Sequence, residues 1–230
     1  MIKKNIAVLN QAITRISAKA HRQAGQVTII AASKGRDIEQ IKQVINAGIT
    51  DIGENKVQEA LSHYNTMLNA QFPSRIKWHM IGHLQTNKVK EAIRLFDLIQ
   101  SVDSLALAQE INKQAAKINK VQDILIEVNT SGEARKFGFK PEAVVQAVKA
   151  VGVLKNVTLK GLMTIAPIVD DQEKARPYFR KLRELLQEIN MRRKPEEALQ
   201  ILSMGMTDDF QAAIEEGATM VRLGRVIFER

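Results

Sequence analysis

Apolar and polar positions along this chain switch repeatedly between two periods. Residues 3–23 carry Ile6, Leu9, Ile13 and Ile16 at helical spacing, which predicts an amphipathic opening helix. Short apolar runs then alternate with longer amphipathic stretches. VTIIAAS (27–33), TDIG (50–53), IKWHMI (76–81), residues 97–101, DILIEVN (123–129), VTLKGLM (157–163), QILS (200–203) and TMVRL (219–223) read as strands. Helical periodicity between them predicts helices over 37–47, 55–70, 86–95, 104–119, 141–151, 171–190 and 207–216. Asp37, Ser104, Asp170 or Asp171, and Thr207 stand where helix starts favour a side-chain acceptor, and Gly48 and Gly217 stand where helices end.

Eight strands with seven helices between them and one helix in front imply a parallel sheet. The expected fold is α/β, a single (β/α)8 TIM barrel with an extra N-terminal helix. A doubly wound open sheet is the alternative. No Pro/Ser/Gly-rich linker divides the chain, so residues 1–230 are expected to form one domain, with MRRKPEE (191–197) as an exposed loop.

Composition narrows the function classes. The 230 residues are 45% hydrophobic and 26% charged, ordinary globular values. The absence of cysteine excludes disulfides and thiolate metal sites. No apolar run approaches a membrane span, and MIKKNIAVLNQAITRI lacks the apolar core of a signal peptide, so a cytoplasmic protein without a membrane partner is expected. The net charge of +9 is dispersed, and only 4% of residues are aromatic. Solvated helix faces account for it, and nucleic-acid binding stays as an alternative, to be rejected if no salt-dependent binding is found. His79 and His83 are four apart but fall on a strand end and its loop, with no H-E-x-x-H pattern, so no metal site is expected. His79 and Trp78 are read as packing residues, while His83 is placed to line a pocket at the strand ends.

The candidate chemistry begins at Lys34, which ends the first strand run just before Gly35. A lysine there lies at the mouth of a barrel, where active sites collect. Held half-buried, such an amine can lose its proton near neutral pH and attack a carbonyl. Barrel closure makes strand 1 the neighbour of strand 8, so Lys34 meets the C-terminal segments SMGMTDDF (203–210) and RLGR (222–225). The loops after strands 7 and 8 commonly bind phosphate in barrels, with glycine admitting the backbone close to the anion. An amine beside a phosphate cradle fits an aldehyde that carries a phosphate, which points to pyridoxal 5′-phosphate (PLP).

The stretches ASK (32–34), GENKVQE (53–59), KWHMIGHLQTNK (77–88), SVD (101–103), GLMTI (161–165), SMGMTDDF and VRLGRVIF (221–228) follow in order. Together they resemble the YggS/PROSC family of PLP homeostasis proteins, over about residues 5–230. The resemblance implies a fold-type III barrel similar to the N-terminal domain of alanine racemase. It implies that Lys34 forms the Schiff base with PLP, that Asn55 lies beside the cofactor, and that Ser203 contacts the phosphate, with Met204 and Gly205 continuing that cofactor-binding loop. Arg222 would face the pyridine nitrogen, and Gly224 with Arg225 would complete the cradle. Three positions depart from the family pattern: Arg225 replaces a small hydroxyl residue, Lys56 a tyrosine and Glu229 a glycine.

An arginine at the pyridine nitrogen only donates, so it keeps that nitrogen unprotonated and weakens the ring as an electron sink. In alanine racemase a tyrosine from a separate domain supplies the opposite-face acid. This chain ends just after the last strand, and its two tyrosines, Tyr64 and Tyr178, fall in helix candidates. A carrier of PLP in vitamin B6 homeostasis is therefore expected, with no catalytic residue, PLP-dependent apo-enzymes as recipients and a monomeric state. A weak PLP-dependent amino-acid racemase is the alternative.

Overall fold

The computed structural model describes residues 1–69 and 76–229. The predicted helix end at Ala70 and the terminal Arg230 lie outside the described residues. An opening helix α1 (Ile2–Lys19) precedes β1 (Thr28–Ala32), α2 (Ile38–Asn46), β2 (Asp51–Glu54), α3 (Val57–Asn69), β3 (Lys77–Met80), α4 (Val89–Leu95) and β4 (Leu98–Val102). There follow α5 (Leu105–Ala116), β5 (Gln122–Glu127), α6 (Val144–Gly152), β6 (Val157–Met163), α7 (Arg176–Asn190), β7 (Ile201–Ser203), α8 (Phe210–Glu215), β8 (Met220–Leu223) and α9 (Arg225–Phe228).

The strands pair in parallel in the order β1 to β8 and close into a barrel, which excludes the open sheet. Closure puts Ile30 of β1 opposite Arg222 of β8. Helices stop or start away from their predicted bounds for local reasons. The opening helix ends at Lys19, four residues early, because Ala20 caps it and His21 takes a positive φ of 55°. Asp37 closes a full capping box on α2, and the Ser104 hydroxyl accepts from Leu107 N. Asp171 caps a 3-10 turn at 172–174 instead of α7 itself. Thr207 is not a cap: α8 starts at Phe210, and the Asp209 carboxylate turns back to accept from Met206 N at 2.6 Å.

Two apolar clusters hold the fold. The larger lies between strands and helices and includes the α1 stripe Ile2, Ile6, Leu9, Ile13 and Ile16. The smaller lies within the barrel, where Leu98, Leu125 and Met163 meet Ile201 and Met220. Strand residues two apart share a face. Gln100, Glu127, Ser203 and Arg222 each follow one of these apolar residues by two positions, and all four are buried. A polar layer therefore lies over an apolar plug, towards the C-terminal ends of the strands.

Leu9 is 2% exposed in the middle of the α1 stripe. Leu9→Ala is expected to lower stability by about 2–5 kcal/mol through lost burial and a residual cavity. Urea unfolding followed by circular dichroism checks this, and a loss well under 1 kcal/mol, on the order of a surface substitution, would contradict the anchoring of α1.

Candidate functional site

A cavity of about 610 Å³ opens at the C-terminal ends of the strands. Lys34, Asn55, Arg222, Gly224 and Arg225 all line it, so five of the sequence-predicted residues converge there. Its apolar wall comes from Ile81 and from a loop after β6, Ile165 with Pro167, Ile168 and Val169. Cationic side chains with apolar surface beside them suit an anionic, planar ligand.

Lys34 occupies a turn beyond β1 and is exposed, not half-buried as its strand-end position predicts. The buried residue is its neighbour Ser33, whose N–H and hydroxyl both donate to Gly53 O at 2.9 Å. That pair fixes the base of the turn and leaves the lysine stem free to swing over the cavity. Asn55 is positioned from behind by the β3 loop. A Cβ on Gly82 would stand 2.4 Å from Asn55 O, so only glycine lets the two segments approach this closely.

Arg222 is the buried cation of the site. Its Nη1 donates to Ser203 Oγ at 2.7 Å and its Nη2 to Thr164 O at 2.7 Å. Burial lowers its pKa to about 10, and the charges of Glu127 and Asp209 oppose that shift, so it stays protonated at neutral pH. Ser203 is fully buried, and its hydroxyl donates to Gln100 Oε1 at 2.6 Å. The hydroxyl expected to contact a phosphate is thus engaged inside the barrel, and Ser203 is not among the residues lining the cavity. Met204 is fully buried in the outer apolar cluster, because alternation turns it away from the barrel interior. Gly205 turns the chain with φ 94°, and a Cβ there would lie 2.5 Å from Ala213 Cβ of α8. The cavity is lined instead by the next residues, Met206 to Asp209.

His83 stands apart from this cavity. Its ring stacks on Phe137 with centroids 3.7 Å apart, and its Nδ1 lies 3.0 Å from Asp103 Oδ2. It lines a separate depression with Leu84 to Asn87. Arg225, the replacement for a small hydroxyl, forms an ion pair with Asp208. This pair joins the loops after β7 and β8 at the cavity mouth. Glu229 pairs with Arg36, and Asn5 Nδ2 donates to Ile227 O and Glu229 O at 3.0 and 2.9 Å, which holds the C-terminal turn. Lys56 makes a surface pair with Glu59 at 2.8 Å.

Several contributors escape a motif-based reading. Arg36 and the apolar segment 165–169 line the cavity from loops. The only signal for that segment is an apolar run continuing past a strand end. Gln100 and Glu127 carry a clearer one: a polar residue at an inward position of an apolar strand needs a partner. Glu127 has none among the described residues, and burial, with the Asp103 charge adding, pushes its pKa up to about 7 against the opposing charge of Arg222.

Comparison with known proteins agrees with this arrangement. The sequence model of the alanine racemase N-terminal domain matches residues 5–229. A pyridoxal phosphate homeostasis protein of Aquifex aeolicus is 45% identical over 224 residues, 96% of this chain and 95% of that protein. A crystal structure of an unknown protein from Bifidobacterium adolescentis superposes with a TM-score of 0.90 at 36% identity, covering 99% of this chain and 94% of the other. PipY of Synechococcus elongatus with PLP bound superposes with a TM-score of 0.86 at 29% identity, covering 99% and 100%. Fold and site thus define a barrel of the alanine racemase N-terminal class. Within that class, the chain belongs to the pyridoxal phosphate homeostasis protein family, the YggS/PROSC proteins.

Glu127 generates a pH prediction. Its folded pKa near 7 lies above the ordinary 4.5. Between those values the native state holds a proton that the unfolded chain has released, so stability falls as pH rises, by roughly 3 kcal/mol in all once the pH passes the folded value. Glu127→Gln should remove this slope between about pH 5 and pH 8 in urea titrations. An unchanged slope in the variant would rule out Glu127 as its source.

Proposed function

We propose that this chain binds PLP in the cavity at the strand ends, as a Schiff base on Lys34, and acts in intracellular PLP (vitamin B6) homeostasis as a cytoplasmic carrier and regulator. One observation carries the reading: a free amine, Lys34, and a buried guanidinium, Arg222, line the same cavity together with both loops of a phosphate cradle. The residues fit the group. The apolar wall takes a flat ring, Arg222 supplies a donor at the far end, and the turns at Gly205 and Gly224 bring backbone close to an anion. With Ser203 spent on Arg222 and Gln100, the phosphate falls to the backbone of 206–207 and 224–225 and to Arg225.

When bound, PLP supplies an aldehyde that condenses reversibly with an amine. Lys34 offers that amine from an exposed turn, so the linkage forms and opens in contact with water. Arg222 has no proton-accepting atom and keeps a pyridine nitrogen beside it unprotonated, which disfavours carbanion chemistry. That supports storage and delivery over turnover. The reading includes PLP-dependent apo-enzymes as recipients, a monomer, and one PLP-binding barrel domain over residues 1–230. Membranes and nucleic acid are not among its partners.

The protein incubated with PLP is expected to show an imine absorbance that Lys34→Ala abolishes, with the variant as stable as the wild type because Lys34 is exposed. Borohydride reduction and peptide mapping should label Lys34. A label on another lysine would overturn the site assignment, and sustained Lys34-dependent racemisation of alanine or serine would overturn the carrier reading.

A further inference from the structure

Arg222 makes no hydrogen bond to a carboxylate among the described residues. It is linked to one through three side chains. Arg222 Nη1 lies 2.7 Å from Ser203 Oγ, and Ser203 Oγ lies 2.6 Å from Gln100 Oε1. Gln100 Nε2 lies 3.1 Å from His79 Nδ1, and His79 Nε2 lies 3.0 Å from Asp51 Oδ1. Ser203, Gln100 and His79 are each 2% exposed or less. Asp51 is 16% exposed and lines a separate depression with Thr28 and Gly48. The chain of contacts therefore crosses the barrel from one end to the other.

With Gln100 Oε1 towards Ser203 and Nε2 towards His79, donor chemistry sets the sense of every bond in it. A guanidinium only donates, so Ser203 Oγ must accept from Arg222 and pass its own proton to Gln100 Oε1. That leaves the Gln100 amide NH2 facing His79, whose Nδ1 must accept. The imidazole proton then sits on Nε2 and is donated to Asp51. All four bonds run in one sense, from the cation to the anion. Bonds aligned this way polarise one another and strengthen the whole chain in a low-dielectric interior. Gln100 is its central link, since both ends of one amide are needed at once.

We propose that Gln100 is a positioning residue for Arg222, and that the relay through His79 to Asp51 sets how firmly Arg222 is presented to the ring nitrogen of the bound cofactor. The second half of this rests on the PLP reading above. Gln100→Leu keeps the volume and breaks both links. Gln100→Glu keeps them, because a carboxylate accepts from Ser203 and from a protonated His79. Asp51→Asn keeps the acceptor and removes the charge at the far end.

Two measurements separate this proposal from the PLP reading. In the protein without PLP, solvent exchange of the Arg222 guanidinium protons, followed by NMR, is expected to quicken at least about tenfold in Gln100→Leu and to stay slow in Gln100→Glu. With 15N-labelled PLP, the pyridine nitrogen signal should move towards its protonated position in Gln100→Leu and Asp51→Asn but not in Gln100→Glu. Unchanged exchange in a folded Gln100→Leu would overturn the relay. If that variant does not fold, an unmoved nitrogen signal in Asp51→Asn would do so. Quickened exchange with an unmoved nitrogen in all variants would overturn the reach to the cofactor. Failure of the wild type to take up PLP would instead overturn the PLP reading, while the exchange result still decides the relay.

Discussion

A guanidinium held 4% exposed at the top of a barrel interior is the constraint around which this molecule is arranged. Taking such a cation out of water costs several kcal/mol unless its protons find acceptors. Thr164 O and Ser203 Oγ provide them, and the lowered pKa of Arg222 is the residue of that cost after compensation. The rest of the polar layer follows. Ser203 needs an acceptor for its own proton, Gln100 needs a partner for its amide, and His79 and Asp51 finish the sequence. Glu127 sits in the same layer with no hydrogen-bonding partner among the described residues, and burial raises its pKa to about 7 against the pull of the Arg222 charge. One buried charge thus accounts for polar residues on six strands or their ends.

Closure of the barrel puts that charge beside Lys34. Residues about two hundred positions apart become neighbours only because β8 pairs with β1, with Ala31 opposite Leu223. The closure is reinforced outside the sheet: Asn5 on α1 holds the last turn, Arg36 pairs with Glu229, and the Arg36 guanidinium lies 5.1 Å from the centre of the Phe228 ring. The departure at Glu229 is thereby explained. An acidic side chain at that position gives Arg36, itself a cavity residue, a partner on the final turn.

Alternation of short β-branched runs with amphipathic stretches was enough to locate all eight strands within a few residues, because each parallel strand is buried on both faces and reads as a plain apolar run. Helix starts were less legible. Where Thr207 offers a hydroxyl, Asp209 two residues later turns its carboxylate back on Met206, a choice made by the loop and not by propensity. The meeting of Lys34 with Arg222, Gly224 and Arg225 was legible as well, since it follows from strand order, whereas Asn55 was marked only by the family resemblance. Ser203 and His83 show where that reasoning stops. A serine at the end of a strand reads as a free donor until a neighbouring strand contributes an arginine that claims it. A histidine two residues past Ile81 reads as facing the axis until Phe137, on a loop far away in sequence, offers it a stacking surface.

The cavity is asymmetric in burial, and the asymmetry bears on what it can do. Its deep end is rigid: Arg222 is held by two short hydrogen bonds and a fixed chain behind them. Its shallow end is loose. Lys34 is exposed, and the Arg225–Asp208 pair joining the loops after β7 and β8 is 61% and 58% exposed. An ion pair in that much water is worth at most about 1 kcal/mol, so it opens readily and its guanidinium can exchange a carboxylate for a phosphate. A PLP molecule held as proposed would be oriented at its ring nitrogen and accessible at its reactive carbon. Under the proposed Schiff base on Lys34, water reaching that carbon would reverse the bond, a liability in an enzyme that must protect an intermediate. For a protein that must give its ligand up, it is the required property.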